Sequence, residues 1–510
     1  MDQSTVIAIL LTIVGFPIFM TPVIMYSCRV SDKLRNILVI LTAVIAFGLT
    51  VSLYPFVVGG GEIQYTLFEV LPNLEISLRL DLLSFCLAIL ASFVWLLCAV
   101  YSLDYMAKEH ACGRYYPVFI FTLGSCQGIF FAGDLFSLFV FFELMSLIAY
   151  ILIIHEETEE ALKAGYKYLV MTIIGGLALF FGMIIIFEIG GTVSLGVGVI
   201  VQENSLLAFV AFICFLIGFG MKAGMFPLHV WLPDAHPVAP SPASALLSGI
   251  MLKTGAYGLF RVIFHVFSPD LLKSGGWDTV LAVLAVITIL LGSAVALTQT
   301  DIKRRLAYSS ISQLGYVLLG LSILNENAII GAVFHIFSHA FMKSVLFLAA
   351  GAIIWNTGKR RIADLQGIGR QMPVTLGCFS IAAFAMIGIP PLNGFLSKWT
   401  LALGALDANM VIYVFVLLVS SLLNALYYLP IIIPGFFEMP GGGSAGHGHD
   451  DEEHHEEHHE IQFDVKEAAP LMLAVMIILA LCTIVFGLTP NNVVFQLSRL
   501  TAEYLLMGGF

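Results

Sequence analysis

Apolar residues in this chain come in long blocks, separated by short polar connections. A window of about 20 residues, the length that crosses a hydrocarbon core as a helix, predicts about fourteen spanning helices. They cover residues 4–27, 34–58, 79–104, 114–132, 134–154, 162–188, 206–226, 239–267, 277–299, 305–323, 327–355, 374–400, 407–437 and 468–488. The first block, Thr5 to Tyr26, is too long for a signal-peptide core and has no basic region before it, so it counts as a span. The segment after Pro490 is read as interfacial. Basic residues mark alternate connections. Those after odd-numbered helices hold fifteen of the 23 Lys and Arg residues, Arg29, Lys108, Lys163, Lys303, Lys359 and Lys466 among them, against only Arg79 and Lys273 in the others. Because Lys and Arg stay on the cytoplasmic side, both termini are expected to be extracytoplasmic. One missed span would have scrambled this alternation.

Four charges break the pattern from inside the blocks. Lys222 lies in FLIGFGMKAGMF, Lys253 in ALLSGIMLKTGAYGLF, Lys398 in IPPLNGFLSKWTLALGAL and Glu143 in LFSLFVFFELMSLIAYIL. A charge at bilayer depth costs several kcal/mol and normally faces a bundle interior or a hydrated path. These residues therefore point to charge movement across a membrane. Burial lowers the proton affinity of a lysine and a nearby carboxylate restores it, so Glu143 and Lys222 can act as a switch. His335 and His339 stand four apart on one helical face, and Lys343 extends the stripe by another four. Imidazoles titrate near neutral pH and relay protons in either direction.

Composition agrees with the block pattern. Of 510 residues 59% are hydrophobic and 11% charged, with mean hydropathy +0.97, which is a polytopic membrane protein. The net charge of −11 says little about the fold, since Asp450 to Glu460 alone carries seven carboxylates. Eight cysteines without CxxC or ligand spacing support neither disulfides nor a cluster. Nucleotide-binding and haem motifs are lacking too, so neither cofactor nor metal is expected and energy must arrive through a partner.

Two broken segments hint at an internal repeat. FPLHVWL around Pro227 resembles PPLNGFL around Pro391, about five helices apart. Proline in a spanning helix frees backbone groups, and a pair of such breaks in corresponding positions is a mark of inverted-repeat transporters. A weaker match sets AGDLFSLFVFFEL against TQTDIKRRLAYSSIS, aligning Asp134 with Asp301 and Glu143 with Ser310.

The set FFELMSL, GFGMKAGMFPLHVWLPDAHPVAPSPASALLSGIMLKTGAYG, HIFSHAFMKSVLFLAAG and IPPLNGFLSKW resembles the antiporter-like subunits of respiratory complex I, of multisubunit Mrp-type sodium/proton antiporters and of membrane-bound hydrogenases. The resemblance covers nearly the whole chain. It implies an all-α polytopic membrane protein of about fourteen helices, with two inverted five-helix repeats (helices 4–8 and 9–13), each holding a broken helix. The divisions expected are residues 1–113, a first repeat over 114–267, a second over 268–437, an acidic His-rich cytoplasmic loop over 438–467, and a final helix with its tail over 468–510. It also implies a proton pathway through Glu143, Lys222, Lys253, His335, His339 and Lys398, with Lys343, His229 and Asp234 as further candidates. Some members carry Glu where this chain has Lys398, which disfavours the middle complex I subunit. The chain also ends soon after helix 14 without a long lateral helix, which disfavours the distal one. Among the Mrp-type proteins the D-type members match best. Implied too are a multi-pass position in a prokaryotic inner (plasma) membrane and partners that include other membrane subunits, a peripheral redox arm, the lipid bilayer, protons and sodium.

Each assignment has a plainer competitor. Glu143 and Lys222 also fit a static salt bridge, Lys253 a helix-terminus ligand, His335 and His339 core histidines or a metal pair, and Lys398 a snorkelling cation. Asp234, His229 and His236, in VWLPDAHP, also fit turn stabilisation. Arg261 and Asp301 read as helix-end anchors. The run GGGSAGHGHDDEEHHEEHHE reads as a solvated loop, with divalent-metal binding as its alternative. Sodium/proton exchange and a non-transporting scaffold for a redox complex are the competing functions.

Overall fold

The computed structural model describes residues 2–72, 74–438 and 465–508. A helix or broken helix stands in each of the fourteen expected places. They are α1 (Gln3–Ser27), α2 (Asp32–Ser52), α3 (Leu82–Tyr105), α4 (Cys112–Phe130), α5 (Leu135–Ile153), α6 (Glu159–Gly190), α7 (Leu206–Ala223, then Leu232–Val238), α8 (Ser241–Val266), α9 (Trp277–Thr298), α10 (Ile302–Ile323), α11 (Glu326–Thr357), α12 (Pro373–Ile387, then Asn393–Asp407), α13 (Val411–Phe437) and α14 (Pro470–Val485). Among the described residues eleven helices are long and apolar enough to cross a membrane by length and composition. The other three are α4, α12, whose first half is short, and α14.

Burial separates a centre from a periphery. α8 and α11 are enclosed along their apolar lengths and α10 nearly so, whereas α1, α2, α6 and α13 turn large apolar residues such as Phe19, Ile37, Leu177 and Phe415 outward. Outward apolar side chains suit contact with lipid. α11, with 32 residues, is about 48 Å long, more than the hydrocarbon core requires, so it crosses the whole middle.

Both broken helices stop at a glycine in the left-handed region, Gly224 at φ +72° and Gly388 at φ +96°. L-residues avoid this region, so glycine ends each first half. Each break then contains a cis proline peptide, Phe226–Pro227 or Pro390–Pro391. Asp134 and Asp301, aligned by the weak repeat, do the same work: each caps its helix through the backbone N–H three residues on, Ser137 at 2.6 Å and Arg304 at 2.9 Å.

A hairpin interrupts the helical pattern. β1 (Ile63–Leu71) and β2 (Leu74–Leu80) pair antiparallel, Ile63 opposite Leu80 and Phe68 opposite Ile76. A 20-residue window averages over strands this short, which is why the sequence left them as a connection. The hairpin delivers the chain to Asp81, which caps α3 in a reciprocal box with Ser84. The segment after Pro490 forms α15 (Val493–Leu506), packed on α3 and α11, with Thr501 against Cys86 and Phe495 against Phe334. The His-rich run Gly441–Glu460 lies outside the described residues.

Candidate functional site: a buried line of lysines and histidines

The three lysines of the expected path and the further candidate Lys343 are buried, Lys222, Lys253 and Lys343 almost completely and Lys398 at 7% exposure. An ammonium held out of water needs acceptors, and each lysine finds a different set.

Lys222 sits in the last turn of the first half of α7. Its Nζ donates to Ser146 Oγ on α5 at 3.0 Å and to Tyr168 Oη on α6 at 2.8 Å, with the Trp231 ring 6.0 Å away. Glu143 is half-buried and makes no ion pair with Lys222 within 4.0 Å among the described residues. The static salt bridge is therefore not present. Glu143 Oε1 is buried without a hydrogen-bond partner and lies against Gly176, where an added Cβ would stand 2.4 Å from it. Ser146 is three residues beyond Glu143 on α5, so the two share a helical face. That spacing could have flagged Ser146 in the sequence. Tyr168 carried no such signal.

Lys253 lies on α8 between two π-wound stretches, Leu247–Met251 and Val262–Val266. Such local widening often accompanies functional positions. Its Nζ reaches Ser248 O at 2.5 Å and His339 Nδ1 at 2.8 Å. At Gly255, two residues on, a Cβ would come within 2.4 Å of Phe219 O and 2.6 Å of Ala223 N, so α8 packs against the α7 break almost backbone to backbone.

From His339 the line continues along α11. The His339 and His335 rings stack 5.9 Å apart at 11°, and His335 Nδ1 meets Ser397 Oγ at 2.9 Å. Ser397 immediately precedes Lys398 in the second half of α12. Tyr316 joins the same corner: its ring packs edge-on against His335, its centroid is 5.2 Å from Lys398 Nζ, and its hydroxyl donates to Ser420 at 2.8 Å. Lys398 Nζ donates to Met386 O at 2.7 Å, Ile387 O at 3.1 Å and Ser421 Oγ at 3.0 Å. Two of these are carbonyls that the break in α12 leaves free, at the negative end of a half-helix. The side chain reaches into this end rather than snorkelling outward. In the other direction Lys343 donates to Leu306 O at 2.8 Å, and its Nζ also contacts Ser309 Oγ on α10.

Several buried polar atoms beside this line have no partner: Nε2 of His335 and of His339, Ser338 Oγ, both amide atoms of Gln313 and both of Asn393. Each costs about 1–3 kcal/mol in a dry site. Asp234 is not open in this way, because it pairs with Lys167 at 2.7 Å and Arg304 at 3.1 Å and so ties α6, α7 and α10. His229 Nδ1 is buried and unpaired. Contacts thus run from Lys253 to His339, His335 and Ser397, and Lys398 follows Ser397 in sequence with the Tyr316 ring between it and His335. Lys222 stands beside the same α7–α8 junction with its own hydroxyl partners.

A second buried charge group was read in the sequence only as a helix end. Arg261, at the foot of α8, grips Asp81 with two bonds of 2.6 and 2.7 Å, and Arg79 adds a third at 3.0 Å. Arg79 also reaches Tyr504 of α15 at 2.9 Å. This group joins the hairpin, α3, α8 and α15, away from the lysine line.

Comparison with known proteins gives the family and the fold. The family model for the membrane region of NADH:quinone oxidoreductases and Mrp antiporters matches residues 132–424, and that for the N-terminus of complex I chain 5 matches residues 71–116. NADH-quinone oxidoreductase subunit N of Desulforudis audaxviator is 36% identical over 433 residues, 82% of this chain and 85% of that protein. The D-type component of the Na(+)/H(+) antiporter of Alkalihalophilus pseudofirmus is 36% identical over 365 residues, 71% of this chain and 73% of the relative. A chain of the Mrp complex from a Dietzia species superposes with TM-score 0.84 at 25% identity, covering 98% of this chain and 97% of its own.

Proposed function

The chain belongs to the NADH:quinone oxidoreductase/Mrp antiporter membrane-subunit family, and from that premise we propose that it moves protons across the membrane as one subunit of a larger complex. Carriage runs through Lys222, Lys253, His339, His335 and Lys398, with Glu143 modulating Lys222. The observation that carries this reading is the contact chain from Lys253 Nζ through His339 to His335 and Ser397, beside Lys398. A scaffold would have no use for a row of buried ionisable groups with unpaired nitrogens beside them.

In this reading a proton on Lys253 passes to His339 Nδ1 along the 2.8 Å contact, and His339 releases the proton on its unpartnered Nε2 to a bridging water. That water protonates the unpartnered Nε2 of His335, which passes a proton from Nδ1 toward Ser397 and Lys398. Glu143 Oε1 lacks a partner where it lies, so a small swing toward Lys222 adds or removes an electrostatic hold on that ammonium. α4–α8 and α9–α13 act as two half-channels meeting at Lys253. The face bearing Lys163, Lys303 and Lys359 is cytoplasmic and both termini lie opposite. His229 serves proton uptake from that face, while Asp234 serves as its structural tie. Exchange of sodium for protons is the second reading, supported by the likeness to a Na(+)/H(+) antiporter component.

The test is transport by the purified intact complex in liposomes, following interior pH with and without sodium. Glu143→Gln and Lys222→Ala are expected to assemble normally and to lose most transport. Normal transport in both variants would remove the pathway and leave a scaffold. Strict sodium dependence would select exchange.

A further inference from the structure

On the face that carries the α3–α4 and α5–α6 connections, three side chains outside the lysine line come together. Donor atoms of Glu109, His110 and Glu156 all lie within 4.8 Å of one another. Glu109 and His110 come from the connection after α3, Glu156 from the one after α5, so the group bridges segments about 45 residues apart in sequence.

The imidazoles are held in a defined way. His110 Nε2 contacts His155 O at 3.2 Å and His155 Nε2 contacts His110 O at 3.2 Å, a reciprocal pair whose rings stack 5.0 Å apart. A ring nitrogen facing a backbone carbonyl carries the proton, so in the neutral ring Nδ1 of His110 is the atom with a lone pair to offer a metal. Metal-binding histidines are oriented in the same way, by donating the far N–H to a carbonyl. His155 is wholly buried, and its Nδ1 has no partner. The nearby protein cations are otherwise engaged, Arg114 with Glu157 and His155 O, and Lys303 with Ala239 O at 3.0 Å.

We propose that Glu109, His110 and Glu156 form a binding site for a borderline divalent transition-metal ion such as Zn2+. One imidazole nitrogen and two carboxylate oxygens are a donor set suited to Zn2+, with a fourth position left for water. Donors on one tetrahedral Zn2+ are about 3.3 Å apart, so the present spacing closes by side-chain rotation of about 1.5 Å. A bound ion would clamp the two connections together, independently of the transport path.

The His-rich run at 447–459 holds six imidazoles that compete for added metal, and α14, the next described helix, starts beside the end of α3, Leu471 N to Asp104 Oδ2 at 3.2 Å. The test therefore uses the intact complex with the six histidines of that run replaced by serine. Zn2+ titration by calorimetry is expected to find one site per chain, and His110→Ala and Glu156→Gln are each expected to weaken it at least tenfold. X-ray absorption of the loaded complex should report a single imidazole with oxygen donors. Binding that is absent in this background, unchanged in both variants, or matched by Mg2+ at equal concentration would overturn the proposal. Both substituted residues sit in surface connections, and the melting temperature without metal checks that the variants remain folded.

Discussion

Lys222 and Lys398 occupy similar places, each beside the break of a discontinuous helix, yet they are held differently. Lys222 is bound by hydroxyls from two other helices, Ser146 and Tyr168, with a carboxylate nearby but not engaged. Lys398 is bound largely by its own helix, through the carbonyls of Met386 and Ile387. A hydroxyl can donate or accept, so it stays satisfied whether the amine is charged or neutral. A carbonyl only accepts, and although Asn424 Nδ2 also donates to Met386 O at 2.9 Å, Ile387 O at the break needs the lysine as donor in every state. The first lysine is free to change its protonation and partner, while the second also completes the fold.

The largest test of this contrast is the same substitution at both sites. Lys222→Ala is expected to cut transport at least tenfold in a complex that still assembles. Lys398→Ala is expected to destabilise the chain by about 1–3 kcal/mol, because Ile387 O loses its donor while Met386 O keeps only the Asn424 amide. Thermal melting of the purified complex reads the second effect. Equal melting losses with equal transport losses would show that the two lysines are of one kind.

A smaller effect should follow from Gly176→Ala. The added methyl would stand 2.4 Å from Glu143 Oε1, so the carboxylate must move. Severalfold slower transport with unchanged assembly is expected in the liposome assay. An unaltered rate would mean that the position of Glu143 does not matter to Lys222.

The finest comparison removes one hydroxyl from each lysine. Tyr168→Phe should slow transport about two- to fivefold, the equivalent of a single hydrogen bond near 1 kcal/mol. Ser421→Ala should lower melting by about the same energy and slow transport less than Tyr168→Phe does. A reversed pattern would exchange the roles of the two sites.

The lysines were legible in the sequence because a charge in an apolar block has few places to go. Their partners were not. Serine and tyrosine are tolerated anywhere along a spanning helix, so nothing distinguished Ser146, Tyr168, Ser397 or Tyr316 from their neighbours before the helices were packed. The fourteen helical places were readable from block length, and the two glycine-terminated breaks from their prolines. The hairpin was lost to a window longer than its strands. Arg261 looked like a helix-end anchor, and only its partner, 180 positions away, reveals a buried pair of hydrogen bonds to Asp81.

That separation bears on how the protein is made. Asp81 enters the membrane with the third helix, while Arg261 emerges only with the eighth, and Tyr504 far later still. Until then Arg79, two residues away, is the counter-charge on hand. Arg79 keeps that bond in the finished protein, and Arg261 adds two more, so the full set of partners around Asp81 closes only when the eighth helix arrives. Nascent chains halted before residue 261 should stay protease-sensitive around the hairpin, and chains released after it should become resistant.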